Sequence, residues 1–206
     1  MKQFKKLASL LLAAVLAMTL LAGCGGRGGN VSIAVTEQNI LKYINEERAS
    51  ADKGLSPVKN DPTLANAAAK LLEAYAGVDM VKTYYGTGYK LTNERVKSIL
   101  NTATGKNGQE VVGYSEDPSR YEHCFCVVPS ERSYGQNQDF YLLRRANKAV
   151  DSGGNYGYNG ALDGFGPSWV VLASDMKVGI AFREINGERF ALVVYDVTNP
   201  EKTAAP

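Results

Sequence analysis

Two stretches in the first half of the chain place apolar residues at helical spacing. Thr36 is a suitable N-cap, and the pattern after it predicts a helix that runs to about Ala51. A second helix is predicted to begin at Asp61-Pro62, because aspartate caps a helix well and proline loses no hydrogen bond in the first turn. Gly77 is expected to end it. The apolar stripe of this helix consists of Leu64, Ala68, Leu71 and Tyr75.

The middle of the chain carries weaker signals. A short third helix is predicted over Asn93 to Asn101, and the apolar runs Glu110 to Tyr114 and Tyr121 to Val128 predict strands. A further helix is expected over Asp139 to Asp151. Its apolar positions at helical spacing are Phe140, Leu143 and Val150.

The strongest local signal lies near the C-terminal end. Asn186-Gly187 predicts a two-residue hairpin turn that joins strands at about Lys177 to Glu184 and Glu188 to Asp196. Counting outward from the turn, both faces of this hairpin are apolar, so a layer of structure must cover each face. The predicted helices can supply both layers. We therefore expect an α+β fold, a three-layer α/β/α sandwich with a mainly antiparallel sheet.

The first 24 residues have the layout of an export signal. Lys2, Lys5 and Lys6 precede an apolar run over residues 7–21, shorter than the about 20 apolar residues that span a bilayer. The sequence Leu21-Ala22-Gly23-Cys24 resembles the lipobox of bacterial lipoproteins. That resemblance implies cleavage before Cys24 and lipidation of its thiol, which would hold the protein at the extracytoplasmic face of the cell membrane. The alternative is an ordinary secretory signal with a chance cysteine.

Composition agrees with one extracytoplasmic domain. The expected organisation is a lipoprotein signal peptide over residues 1–23, a lipidated cysteine and flexible glycine-rich tether over 24–35, a domain over 36–198 and a disordered tail over 199–206. Loss of the three signal-peptide lysines takes the formal charge from +2 to about −1, so nothing favours nucleic-acid binding. A hydrophobic content of 45% is enough for a core without crosslinks.

Cys124 and Cys126 lie two residues apart in a predicted strand, on one face of it. Buried free thiols are the favoured interpretation. A strained or redox disulfide is a second one, since alpha carbons about 6.6 Å apart are near the upper limit for a bridge. A metal site with His123 and Glu122 is a third, although neighbouring strand residues point to opposite faces.

Several blocks of the chain, taken in order, resemble the CAP superfamily of cysteine-rich secretory, antigen 5 and pathogenesis-related proteins, known in bacteria as SCP-like domains. The resemblance covers roughly residues 38 to 196. Its blocks are Asn39-Ile-Leu-Lys-Tyr-Ile-Asn-Glu-Glu-Arg48, Asp61-Pro-Thr-Leu64 with the alanines after it, Tyr134-Gly-Gln-Asn137, Lys177-Val-Gly-Ile-Ala181 and Phe190 to Tyr195. The family's fold is an α/β/α sandwich, in agreement with the hairpin argument.

The chain departs from the family at its usual site of two histidines and two acidic residues. His123 is the sole histidine and lies outside both histidine motifs. Gln136 stands where the family's Gly-Glu-Asn motif has glutamate, and a neutral amide cannot act as a general base. The resemblance therefore implies a degenerate site without metal or cofactor. Tyr134, Gln136 and Asn137 are carried over as candidate cleft positions, with a structural turn as the alternative.

A glycine-rich stretch over residues 152–168 is the best candidate for ligand contact. Tyr156, Tyr158 and Phe165 in this long loop could stack on sugar rings or on a peptide, unless they pack back onto the core. No nucleophile elbow, phosphate-binding loop or zinc-protease motif is present in the sequence.

These patterns favour binding over catalysis. We expect a lipid-anchored protein that binds a cell-wall, glycan, peptide or protein ligand at the cell envelope. Two alternatives stand beside it: a hydrolase that acts on cell-wall glycan or peptide through a carboxylate pair, and a structural envelope protein with a vestigial cleft.

Overall fold

The structure, a computed structural model, describes residues 34–51, 54–83, 86–114, 116–117, 120–132, 138–144, 162–166, 168–171, 173 and 175–199. They belong to one compact unit, Ser32–Pro206. The helices are α1 (Glu37–Ser50), α2 (Pro62–Ala76), α3 (Asn93–Thr104) and α4 (Ser168–Val171), with a 3₁₀ turn at Asp163–Phe165. The strands are β1 (Met80–Thr83), β2 (Gly86–Leu91), β3 (Glu110–Val112), β4 (His123–Val128), β5 (Glu131–Arg132), β6 (Phe140–Leu143), β7 (Asp175–Ile185) and β8 (Glu188–Thr198).

The strands form two sheets, and the fold class is α+β, as predicted. One sheet has the order β1-β2-β6-β5, and the other has the order β3-β4-β8-β7. Neighbouring strands are antiparallel, apart from the parallel pair of β3 and β4. Within the described ranges, none of the helices has the length and hydropathy needed to span a bilayer.

The C-terminal hairpin has the predicted turn and register. Asn186 and Gly187 both have positive φ, 51° and 76°, as a turn of this kind requires. Val178 lies opposite Tyr195, and Ile180 lies opposite Val193. Since each residue shares a face with its partner and alternates with its neighbours, the two apolar faces are those counted from the sequence.

The sheet that contains this hairpin is buried on both faces. On one face, α2 and α3 pack against a set that includes Phe125, Phe190 and Leu192. On the other face, α1 and α4 pack against a set that includes Val178, Val193 and Tyr195. Helices thus contribute to both apolar clusters.

Polar side chains fix where the helices begin and how α1 is held. Thr36 Oγ1 accepts from the Asn39 amide (3.2 Å), and Asp61 Oδ1 accepts from the amides of Thr63 (2.9 Å) and Leu64 (3.0 Å). Both predicted caps are confirmed. Arg48, 2% exposed, donates to the carbonyl oxygens of Ser56, Val171 and Ala173 and so ties α1 to the segments around it.

The predicted helix over 139–151 is wrong where the structure describes it. Phe140–Leu143 is strand β6, which pairs with β2 on one side and β5 on the other. Gly88 of β2 allows close contact, because a Cβ there would lie 2.4 Å from the Leu142 carbonyl oxygen. Phe140 and Leu142 are fully buried. Packing of these alternate side chains in a paired strand is therefore favoured over the helix that their spacing predicted. Strands β1, β2 and β5 were not predicted.

Candidate functional site

An open groove of about 840 Å³ lies between α2, α3 and the end of β2. Its apolar lining comes from Ala74 of α2, Leu91 of β2 and Ile99 of α3. Leu91 belongs to the core on that side of the sheet, and Ala74 and Ile99 pack against that core. The floor of the groove is therefore held in place by core packing.

Charged groups surround this floor. Lys70 and Glu73 of α2, Lys90 of β2 and Arg95 of α3 line the groove, so basic groups outnumber acidic ones. Lys90 Nζ lies 3.2 Å from Oδ2 of the buried Asp139, and that hydrogen bond raises the pKa of the lysine. Lys70 and Arg95 are exposed, and the part of the chain that the structure describes offers neither of them an ion-pair partner.

Hydroxyl groups complete the polar rim. Ser98 and Thr102 lie on α3, one turn apart and both exposed, while Thr92 caps that helix by accepting from the Arg95 amide. The cap uses the Thr92 hydroxyl as an acceptor. Ser98 and Thr102 present hydroxyls that can donate to or accept from a ligand.

An exposed apolar side chain lies at the edge of the groove. Val78 lines it and is 36% exposed. Two residues further along the chain, at the start of β1, Met80 is 40% exposed, and Asp79 between them is also exposed. Among the described residues, Val78 and Met80 are the large hydrophobic side chains that are exposed.

The described lining of this groove contains none of the predicted candidate positions. Tyr134, Gln136, Asn137, Tyr156 and Tyr158 lie outside the described residues, as does Cys24.

The expectation that Phe165 is exposed for ligand contact is wrong. It is 1% exposed, packs in the cluster with Val170 and Val171, and its carbonyl oxygen accepts from Tyr195 Oη at 2.6 Å. Burial of the ring in this apolar cluster explains the difference.

Arg132 and Gln138, which flank the predicted Tyr134–Asn137 motif in the sequence, belong to a polar cluster. Arg132 donates to Glu116 Oε2 (2.8 Å) and to Gln138, and its guanidinium lies 5.6 Å from the ring centre of Phe140. Glu116 Oε1 accepts from the Gly113 amide at 3.0 Å. The Arg132 side chain is 5% exposed, so this cluster joins two segments and offers little surface to a ligand.

Cys124 and Cys126 do not form a disulfide, and both are fully buried in the apolar cluster that contains Phe165. Burial raises the pKa of Cys124 to about 12, and Asp196 adds to the shift. Burial also raises the pKa of Cys126 well above its usual value. Both thiols are therefore protonated and unreactive in the folded protein at neutral pH.

His123 lies at the exposed start of β4, away from the two thiols. Its Nδ1 lies 3.2 Å from Thr198 Oγ1, and its Nε2 lies 3.4 Å from Glu122 Oε1. In the described ranges, no three histidine, cysteine or acidic side chains come together in a way that could hold a metal ion.

Comparison with known proteins adds no relative: no protein-family model, no curated protein and no solved structure matches this chain. The groove was also missed by sequence reasoning. Its walls come from residues 70–78 and 90–102, and each polar residue there has the ordinary spacing of an exposed helix face. Only the packing of α2 beside α3 brings the two faces together.

Proposed function

We propose that this protein is a lipid-anchored binding protein of the cell envelope, and that the groove between α2 and α3 receives its ligand. The observation that carries the proposal is the groove itself, an open concavity with an apolar floor, exposed hydroxyls, and two cations that form no ion pair with the residues the structure describes. Binding sites combine an apolar lining with a few polar groups in this way.

The lining supports binding over the hydrolytic alternative. Glycoside hydrolysis in most families needs two carboxyl groups on either side of the scissile bond. Glu73 is the one carboxylate among the described lining residues. The structural alternative, with a vestigial cleft, has less support because cations without an ion-pair partner in the described ranges and the exposed Val78 lie together at the groove.

The finer architecture that we propose is a three-layer α/β/α sandwich related to the CAP superfamily. Its support is the sheet β3-β4-β8-β7, which has helices in the apolar cluster on each face. The opening helices α1 and α2 and the final hairpin occupy the blocks that resemble the family. Anchoring through Cys24 rests on the lipobox-like sequence.

Site-specific photocrosslinking in bacterial cells tests the location and the groove together. A photoreactive amino acid at Ser98 should give adducts with an envelope component, whereas one at Lys177, exposed on β7 and outside the groove, should give few. The full chain should sediment with membranes, and a Cys24→Ala chain should not. Equal labelling from both positions would contradict the groove assignment, and membrane retention of the Cys24→Ala chain would contradict the anchor.

A further inference from the structure

We infer that the groove takes an acidic peptide segment with an aliphatic side chain, supplied by a partner protein. This inference rests on the proposed binding function and names the chemistry of its ligand. It follows from three properties of the groove. These are its cations without an ion-pair partner in the described ranges, its aliphatic floor, and the absence of aromatic side chains from its described lining.

The charges select an anion. Lys90 already has Asp139 as its partner, but Lys70 on α2 and Arg95 on α3 form no ion pair in the described ranges, and Glu73 is the one acidic side chain of the described lining. Each helix therefore contributes one free cation to the groove. A carboxylate that meets such a cation forms a charge-assisted hydrogen bond, which is stronger than a neutral one.

The floor selects an aliphatic group. Ala74, Leu91 and Ile99 are small or branched, and Val78 adds a partly exposed apolar side chain to the lining. A leucine- or valine-sized side chain removes such surface from water effectively. An anion without apolar groups would leave the floor uncovered.

The lining argues against sugars and bases as the main ligands. Recognition of single-stranded nucleic acid relies on aromatic side chains that stack on the bases, and flat sugar faces pack in a similar way. The described lining of the groove contains no aromatic residue. A peptide needs no such platform, because its carboxylates, amides and aliphatic side chains match the cations, the hydroxyls of Ser98 and Thr102, and the floor.

Fluorescence anisotropy with defined probes tests the inference on the full, detergent-solubilised chain. The probe is a labelled peptide of about eight residues that alternates glutamate with leucine. Matching peptides replace glutamate with glutamine or with lysine, and labelled polyphosphate tests an anion that has no apolar group. We expect the acidic peptide to bind most tightly, with an affinity that falls as salt screens the charges.

Three variants locate the binding. Lys70→Ala/Arg95→Ala removes both cations and should weaken binding of the acidic peptide about tenfold, since each of the two ion pairs at an exposed site contributes up to about a factor of five. Lys59→Ala/Lys177→Ala makes the same change of charge at exposed positions outside the groove and should leave binding unchanged. Thr102→Trp fills the groove and should abolish binding. Thermal unfolding of each variant shows that it is folded.

The outcomes separate this inference from the proposed function. Equal affinity of the two double variants for the acidic peptide overturns the inference. If the glutamine peptide or polyphosphate binds at least as tightly as the acidic peptide, and Thr102→Trp abolishes that binding, the acidic-peptide chemistry is overturned. The groove then remains a binding site. Failure of every probe, together with absence of photoadducts from Ser98, overturns both.

Discussion

Gly179 is a residue at which the backbone of helix α2 lies very close to the sheet. A Cβ built there would lie 2.1 Å from the Leu64 carbonyl carbon and 2.2 Å from the Ala65 nitrogen. These are backbone atoms in the first turn of the helix, so no side-chain rotation can relieve the contact. The absence of a side chain at this one position sets how tightly α2, and with it one wall of the groove, packs on β7.

Gly179→Ala should therefore destabilise the protein by about 1–3 kcal/mol, the usual range for overpacking a core. Urea unfolding monitored by circular dichroism measures the change. Gly77→Ala is the matched control, because a Cβ there meets nothing closer than 3.5 Å and Gly77 has an ordinary negative φ of −89°. Equal stability of the two variants would show that α2 moves away from the sheet at little cost.

Among the helices and strands, α2 has the clearest start signals in its own sequence. Asp61 accepts from two amides of the first turn, Pro62 occupies that turn, and the Asp61 amide donates to the Val178 carbonyl at 2.7 Å. Asp61 therefore both caps the helix and attaches its start to β7. The same segment covers part of the β7 edge, where Asn60 Oδ1 accepts from the Ile180 amide at 2.9 Å.

Asp61→Ala should lower the free energy of unfolding by about 1 kcal/mol, because both capped amides lose their acceptor. Asp61→Asn keeps an acceptor oxygen at the same place and should recover most of the loss. Thermal or urea unfolding of the three proteins gives the comparison. If asparagine is as harmful as alanine, the negative charge at the helix start, and not the hydrogen bonds, is the stabilising feature.

Strand β6 shows where element prediction from sequence fails. Phe140, Leu142 and Leu143 satisfy both a helical and an extended pattern over so short a stretch. The choice is made by β2 and β5, which provide hydrogen-bonding partners on both sides. Neither partner was predicted, because β2 carries glycines and β5 has two residues.

At the scale of the whole molecule, the two apolar clusters contain four thiol and phenol groups whose burial disfavours loss of a proton at alkaline pH. Cys124 and Cys126 lie on one side of the sheet with Tyr195, and Tyr75 lies on the other. Burial raises the pKa of all four groups. Folding therefore favours their protonated forms.

Stability should decrease as the pH rises above about 9. A group with a raised pKa contributes its full stabilisation below its unfolded pKa, which is 9.0 for a cysteine, and loses it as the pH rises toward the folded value, about 12 for Cys124. Each such group lowers the free energy of unfolding by up to about 1.4 kcal/mol per pH unit in this window. Urea unfolding from pH 8 to 11 checks this slope.

A Cys124→Ala/Cys126→Ala chain is the control for the alkaline slope. It retains Tyr75 and Tyr195, so the decrease in its stability should begin about one pH unit higher, near the ordinary tyrosine pKa of 10.0. An unchanged free energy of unfolding up to pH 11 in the original chain would mean that the four groups reach solvent without global unfolding.

Elements whose signals are local could be predicted without the structure. Thr36, Asp61-Pro62 and Asn186-Gly187 act on backbone groups within three or four residues, so the starts of α1 and α2 and the hairpin register could be predicted. Alternation along the hairpin also indicated a sheet buried on both faces, and the spacing of Cys124 and Cys126 favoured buried thiols over a strained disulfide or a metal site. These features depend on neighbours that the sequence shows directly.

Features that depend on distant segments follow from the packing of the folded chain. The burial of Phe165, the strand at β6 and the groove each require a partner far away in the sequence. Lys70 and Arg95 have ordinary exposed-helix spacing, and their shared groove exists because α2 and α3 pack on the same face of the sheet. Packing energy, summed over many weak contacts, makes that choice, and no short motif carries it.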